Sequence, residues 1–190
     1  MNTFIYMVRH GDSPKTEGNE RTRGLTEKGK LDSHLVSHIL QNEGIDIFVS
    51  SPYTRAILTI QDIAKRKGKE ILIFEDLKER VFSNSDFRMS DKELLPLLEK
   101  SFAEPSYALP GAESNAACQS RAIAVLKELL TTYQGCKVAL GTHGAVMTLM
   151  MAYFDNQYDL NFLLQTSKPD IYRLEFDHQE LLEVTRLWKE

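Results

Sequence analysis

Residues 3–11 read Thr-Phe-Ile-Tyr-Met-Val-Arg-His-Gly, and this stretch decides the fold. The mostly apolar run Thr3 to Val8 stops abruptly at Arg9-His10-Gly11, the pattern of a short buried strand running into a loop. The same pattern returns further on. Asp46 to Val49 is a second buried strand, stopped by Ser50-Ser51-Pro52. Glu70 to Phe74 is a third, and Lys137 to Leu140 another, ending at Gly141-Thr142-His143-Gly144. Helical spacing fills the intervals. One helix is expected from about Thr26 to Asn42, with Leu31, Leu35 and Ile39, and one position on Val36 and Leu40, as its apolar face. A second runs from Pro52 to about Lys67 with Ile57, Ile60, Ile63 and Ala64 inward. A long helix is expected from about Glu113 to Tyr133, ended by Gly135, and a very apolar one from Ala145 to Tyr153. Ile171 to Phe176 and Leu181 to Leu187 alternate as a hairpin around Asp177-His178-Gln179. Strands alternating with helices give an α/β class with a largely parallel central sheet.

Length and composition narrow the rest. The 190 residues suit a single domain spanning 1–190. Residues 80–111 have weak periodicity, with one clear helix at 91–101, and read as an irregular insertion over one end of the sheet. A net charge of −4 argues against general binding to nucleic acid. No apolar run approaches the roughly 20 residues of a membrane span, and Met1 to Val8 lacks the form of a secretory signal. The expected compartment is the cytoplasm. Cys118 and Cys136 are too few for a disulfide framework and are expected to be small buried hydrophobes. Oligomeric state leaves no signal in the chain.

The chemistry gathers at three strand ends: Arg9-His10-Gly11, Ser50 to Arg55, and Gly141 to Gly144. In a parallel α/β sheet ligands bind in the crevice beyond those ends. Ser51 is expected as a helix N-cap with Pro52 at the first helical position, which puts Arg55 in the first turn, where the helix end already attracts anions. Two arginines, two histidines and a helix N-terminus describe a site for an oxyanion, most simply a phosphate. A neutral histidine there can attack phosphorus and form a phosphohistidine.

The ordered motifs resemble those of the histidine phosphatase superfamily, also called phosphoglycerate mutase-like. They are Arg9-His10-Gly11, Leu25-Thr26-Glu27-Lys28-Gly29, Ser50-Ser51-Pro52 with Arg55-Ala56, Leu77-Lys78-Glu79, Pro110-Gly111-Ala112-Glu113-Ser114 with Arg121, and Gly141-Thr142-His143-Gly144. The resemblance implies a three-layer α/β sandwich and a metal-independent phosphomonoesterase with no cofactor, acting on a small phosphorylated molecule. It implies His10 as nucleophile, Arg9 and Arg55 as phosphate-binding groups, and His143 as a donor to the phosphoryl group. Glu79 would be the general acid, with Glu75 and Asp76 as alternatives. The insertion at about 80–111 is expected to cap the site and supplies Arg80, Phe82, Phe87, Arg88, Phe102 and Tyr107 as candidate pocket residues.

Several features separate the branches of that superfamily. Thr16 and Phe82 stand where the mutases carry Asn and Tyr, and the loop from His10 to Leu25 is short. Arg23-Gly24-Leu25-Thr26 is similar to the phosphohistidine phosphatases, which generally lack the acid. A mutase, a phosphohistidine protein phosphatase and a non-catalytic phosphate-binding module are the alternatives; Glu79 and the insertion favour the phosphomonoesterase. His34 and His38, four apart on one helix, read as surface or boundary histidines rather than metal ligands, since position 35 is Leu. His178 belongs to a turn, and Met147, Met150 and Met151 to the core.

Overall fold

The computed structural model describes residues 1–189. Its strands are β1 (Thr3–Arg9), β2 (Ile47–Ser50), β3 (Ile71–Ile73), β4 (Lys137–Thr142), β5 (Asp170–Asp177) and β6 (Glu180–Arg186). Its helices are α1 (Glu27–Leu40), α2 (Thr54–Arg66), α3 (Asp91–Ala103), α4 (Asn115–Thr132), α5 (Gly144–Ala152) and α6 (Leu160–Gln165), with a 3₁₀ turn at Glu75–Leu77. The strands form one sheet in the order β3-β2-β4-β1-β5-β6. The first four are parallel, and the β5–β6 hairpin adds antiparallel to β1.

Both faces of the sheet are covered, which is why the strands read as continuous apolar runs. Ile5, Met7, Val138, Leu140 and Leu174 pack against Leu126, Leu129, Met147 and Met150 of α4 and α5. Tyr6, Val8, Phe48, Ala139 and Ile171 pack against Val36, Leu40, Ile60 and Ile63 of α1 and α2. Cys118 is fully buried, whereas Cys136 is only half-buried. Among the described residues no helix is long and apolar enough to cross a membrane.

The helices depart from the sequence reading in instructive ways. Leu31 and Leu35 are 68% and 52% exposed, not inward. The face of α1 that turns in carries Gly29, Ser33, Val36, Ser37 and Leu40. The two serine hydroxyls bond back to the carbonyls of Lys30 and Ser33, so burying them leaves no unmet donor. Gly29 is fixed by contact: a Cβ there would lie 2.2 Å from the carbonyl oxygen of Asp12. Helix α2 starts at Thr54 rather than Pro52, and Ile57 is only half-buried. Helix α6 was not legible in the sequence; its six residues are too short for a period, although Asp159 caps it by accepting from Phe162 N. The third strand shrinks to Ile71–Ile73, at the sheet edge, where Leu72 and Ile73 are exposed.

Candidate active site

Strand register brings the motif residues together. In the sheet β4 lies between β1 and β2, so three carboxyl ends meet at a topological switch point. Arg9 is opposite Thr142 and Ser50 opposite Gly141. The ladders extend one residue further, from His10 N to Thr142 O at 3.0 Å and from Ser51 N to Gly141 O at 3.0 Å. Arg9, His10, Arg55 and Glu79 line one cavity of about 770 Å³. His143 is fully buried behind its wall, with its ring centroid 5.2 Å from that of His10.

His10 Nδ1 lies 2.7 Å from the carbonyl oxygen of Gly11. A carbonyl only accepts, so the proton of the neutral ring sits on Nδ1 and the lone pair on Nε2. Burial first, then the positive charges of Arg55 and Arg9, hold this histidine well below its usual pKa. His143 is depressed for the same reasons, burial and then Arg55. Its Nε2 is 2.7 Å from Ser51 Oγ, which itself accepts from Tyr53 N. Ser51 therefore is not the N-cap of α2; Tyr53 holds that position without a side-chain bond. Nδ1 of His143 is buried and without a partner; in the tautomer in which the serine hydroxyl donates to Nε2, Nδ1 carries the ring proton.

The arginines are held from behind. Arg9 donates through Nη1 to the Thr166 carbonyl at 3.0 Å and to the Thr166 hydroxyl. Its guanidinium packs against Gly144, where a Cβ would lie 2.8 Å from Nη2. Arg55 is fully buried, stacked 4.9 Å over the Tyr53 ring, and bonded to the backbone and carboxylate of Glu20. Burial and the neighbouring Arg23 push its pKa down to about 10, which leaves it charged at neutral pH. The Nε atoms of Arg9 and Arg55 are buried without partners.

The three candidate acids separate cleanly. Glu79 accepts from Ala145 N and Val146 N, in the first turn of α5, at 3.1 and 2.9 Å, and from Arg80 N at 2.9 Å. Glu75 lines the cavity but is taken up by a two-point ion pair with Arg21. Asp76 is exposed and outside the cavity wall. The Glu113–Arg121 pair explains another motif: Arg121 binds the Glu113 carboxylate through two nitrogens and also donates to the carbonyls of Asp76, Lys78 and Glu79. The loop that carries Glu79 is thereby tied to α4.

Arg80, Phe82, Phe87 and Arg88 of the insertion line the cavity, whereas Phe102 packs into the core and Tyr107 lies under Lys100. Arg80 is buried, with Nε and Nη1 unpartnered. His34, His38 and His178 are exposed, and among the described residues no cluster of three metal-ligating side chains occurs.

A profile described as histidine phosphatase superfamily (branch 1) matches residues 5–188. The chain belongs to the histidine phosphatase superfamily. A relative from Bacillus subtilis, named uncharacterized phosphatase PhoE, is 26% identical over 156 residues, covering 78% of this chain and 76% of its own. Solved histidine phosphatase folds overlay well. YhfR of Bacillus stearothermophilus superposes with a TM-score of 0.79 at 22% identity over 95% of this chain and 94% of its own. A phosphoserine phosphatase from Entamoeba histolytica, solved with 3-phosphoglyceric acid, gives 0.78 at 20% identity over 99% and 98%. A mycobacterial glucosyl-3-phosphoglycerate phosphatase gives 0.77 at 17% identity over 99% of both chains.

Several residues of this candidate site went unnoticed in the sequence. Glu20 and Thr166 hold the arginines from segments without periodicity. Arg23 sits in a motif and could have been found there.

The depressed histidines have a consequence for stability. Unfolded, each titrates near about 6.5; folded, each stays neutral to well below that. As pH falls through that window the unfolded chain binds more protons, so stability is lost, by up to about 1.4 kcal/mol per pH unit for each histidine. Urea midpoints should fall between pH 7 and 5.5, and less steeply in His10→Asn. A slope that His10→Asn leaves unaltered would contradict the neutral assignment.

Proposed function

We propose that the protein is a phosphomonoesterase working through a phosphohistidine on His10. One observation carries this reading: Nδ1 of His10 is committed to the Gly11 carbonyl, so an unpartnered Nε2 is left in a cavity lined by Arg9 and Arg55. The Nε2 lone pair attacks phosphorus as the bond from phosphorus to the ester oxygen breaks. Arg9, Arg55 and the Nδ1–H of His143 donate to the phosphoryl oxygens, where charge builds in the transition state. Glu79 gives its proton to the leaving oxygen. Its carboxylate then takes a proton from water, the water oxygen attacks phosphorus, and the electrons of the N–P bond return to Nε2. No step calls on a metal or cofactor. The phosphoserine and glucosyl-3-phosphoglycerate phosphatases among the structural relatives support a small phosphorylated substrate.

The intermediate is directly accessible. Rapid acid-free quenching with a labelled aryl phosphate should trap one acid-labile phosphate per chain, mapped to His10. Label on His143, Ser13 or Cys118 instead would sink the mechanism.

A further inference from the structure

Nine Lys or Arg side chains line the cavity against six Asp or Glu, in a chain whose net charge is −4. Six of those cations contact a carboxylate, two to each of three acids. Glu20 holds Arg23 and Arg55, Glu75 holds Arg21 and Lys78, and Asp91 holds Lys15 and Arg88. Among the described residues, Arg9, Arg80 and Lys168 remain without a carboxylate partner in contact.

Lys168 differs from the other two. Among the described residues its ammonium has no hydrogen bond or ion pair. It is exposed at the cavity mouth, and its side chain lies in the repulsive field of Arg9, Arg23 and Arg88. Crowding by the cavity wall, then those three arginines, push its pKa down to about 8. The loop backbone that carries it is pinned. Asp170 is buried and accepts from Ser167 N at 3.1 Å and from Arg186 Nε at 2.9 Å, and Ser167 Oγ donates to the Pro169 carbonyl at 2.7 Å. The same loop begins at Thr166, which holds the Arg9 guanidinium. Two residues of chain span at most about 7 Å, so the Lys168 backbone is one small molecule's length from the group assigned to phosphate.

We propose that Lys168 forms a second anion subsite, so that the substrate is a small phosphomonoester carrying a further oxyanion, a carboxylate or a second phosphate. This rests on the reading of Arg9 and His10 as the phosphoryl site. The physical basis is charge balance. One phosphoryl group answers Arg9 and the histidine pocket, and a second oxyanion answers Lys168 by a charge-assisted hydrogen bond. The surplus of positive charge in a concave wall also draws such a substrate in.

The test compares glycerol 3-phosphate, 3-phosphoglycerate and propane-1,3-diyl bisphosphate, with nitrophenyl phosphate as reference. Wild-type kcat/KM should favour at least one of the doubly anionic compounds over glycerol 3-phosphate by about 10- to 100-fold, the range of a charged hydrogen bond. Which of the two is favoured identifies carboxylate or phosphate. Lys168→Met should collapse that ratio, chiefly through KM, and Lys168→Arg should keep it. The ratio should also decline as pH rises through about 8, where the ammonium, set among Arg9, Arg23, Arg88 and Asp91, loses its proton. A wild-type enzyme with no preference, or a Lys168→Met loss equal on all substrates, would overturn the subsite while nitrophenyl phosphate turnover through His10 left the phosphatase reading standing. No turnover of nitrophenyl phosphate would instead remove the phosphatase reading, and the subsite with it.

Discussion

Replacing His10 by alanine is expected to lower turnover of phosphomonoesters by roughly 10⁶-fold, the scale seen when a covalent nucleophile is removed. No neighbour can take over. His143 is the nearest imidazole, but its Nε2 is engaged by Ser51, which leaves only Nδ1 toward the phosphoryl group, in the donor role given above. A residual rate above that in water should survive, because Arg9 and Arg55 still present charge to the phosphoryl oxygens. For the same reason vanadate or inorganic phosphate should still bind the variant, and the loss should fall on kcat. The side chain gives up one hydrogen bond, to the Gly11 carbonyl, so the fold should persist, which a urea midpoint would verify. Substantial turnover by a folded His10→Ala enzyme would take the nucleophile's role away from His10.

Glu79→Gln should separate substrates by their leaving groups. An alkyl phosphate releases a basic alkoxide that must gain a proton as the bond breaks. A nitrophenyl phosphate releases a stabilised anion that needs little help. General acid catalysis is worth about 10²–10⁴-fold, so the alkyl ester should lose that much and the nitrophenyl ester clearly less. The carbonyl oxygen of a glutamine can still accept from Val146 N and Arg80 N, which share one oxygen of Glu79, while Ala145 N loses its acceptor, so the N-terminus of α5 keeps one of its two bonds to this side chain. The comparison must be made on the burst phase. If hydrolysis of the phosphoenzyme limited turnover, both esters would slow alike in the steady state. An equal first-step loss for both would exclude Glu79 as the acid, and the surroundings of Glu75 and Asp76 offer no ready substitute. The first is committed to Arg21 and the second faces solvent.

The sheet was legible because its order of burial is written in composition. A strand covered on both faces must be apolar throughout, so Thr3 to Val8, Asp46 to Val49 and Lys137 to Leu140 announce themselves one residue at a time. Helix faces were less legible. Leu31 and Leu35 satisfy a helical period yet point to solvent, because Gly29, Ser33 and Ser37 let α1 sit close to its neighbours, and close approach needs small side chains rather than apolar ones. Periodicity records only which residues could be buried.

The candidate site divides in the same way. Arg9, His10, Arg55, Glu79 and His143 were legible in the sequence because each sits in a fixed local frame, a strand end or the loop before a helix, and local frames are written in consecutive residues. What holds and tunes them was decided by the tertiary structure. Glu20 behind Arg55, Thr166 behind Arg9, Ser51 against His143, and Arg121 clamping the loop of Glu79 all join segments 35 to 157 residues apart. So do the neutral state of the two histidines and the isolation of Lys168. Burial and the sum of nearby charges set both, and neither quantity exists until the chain has closed around the site.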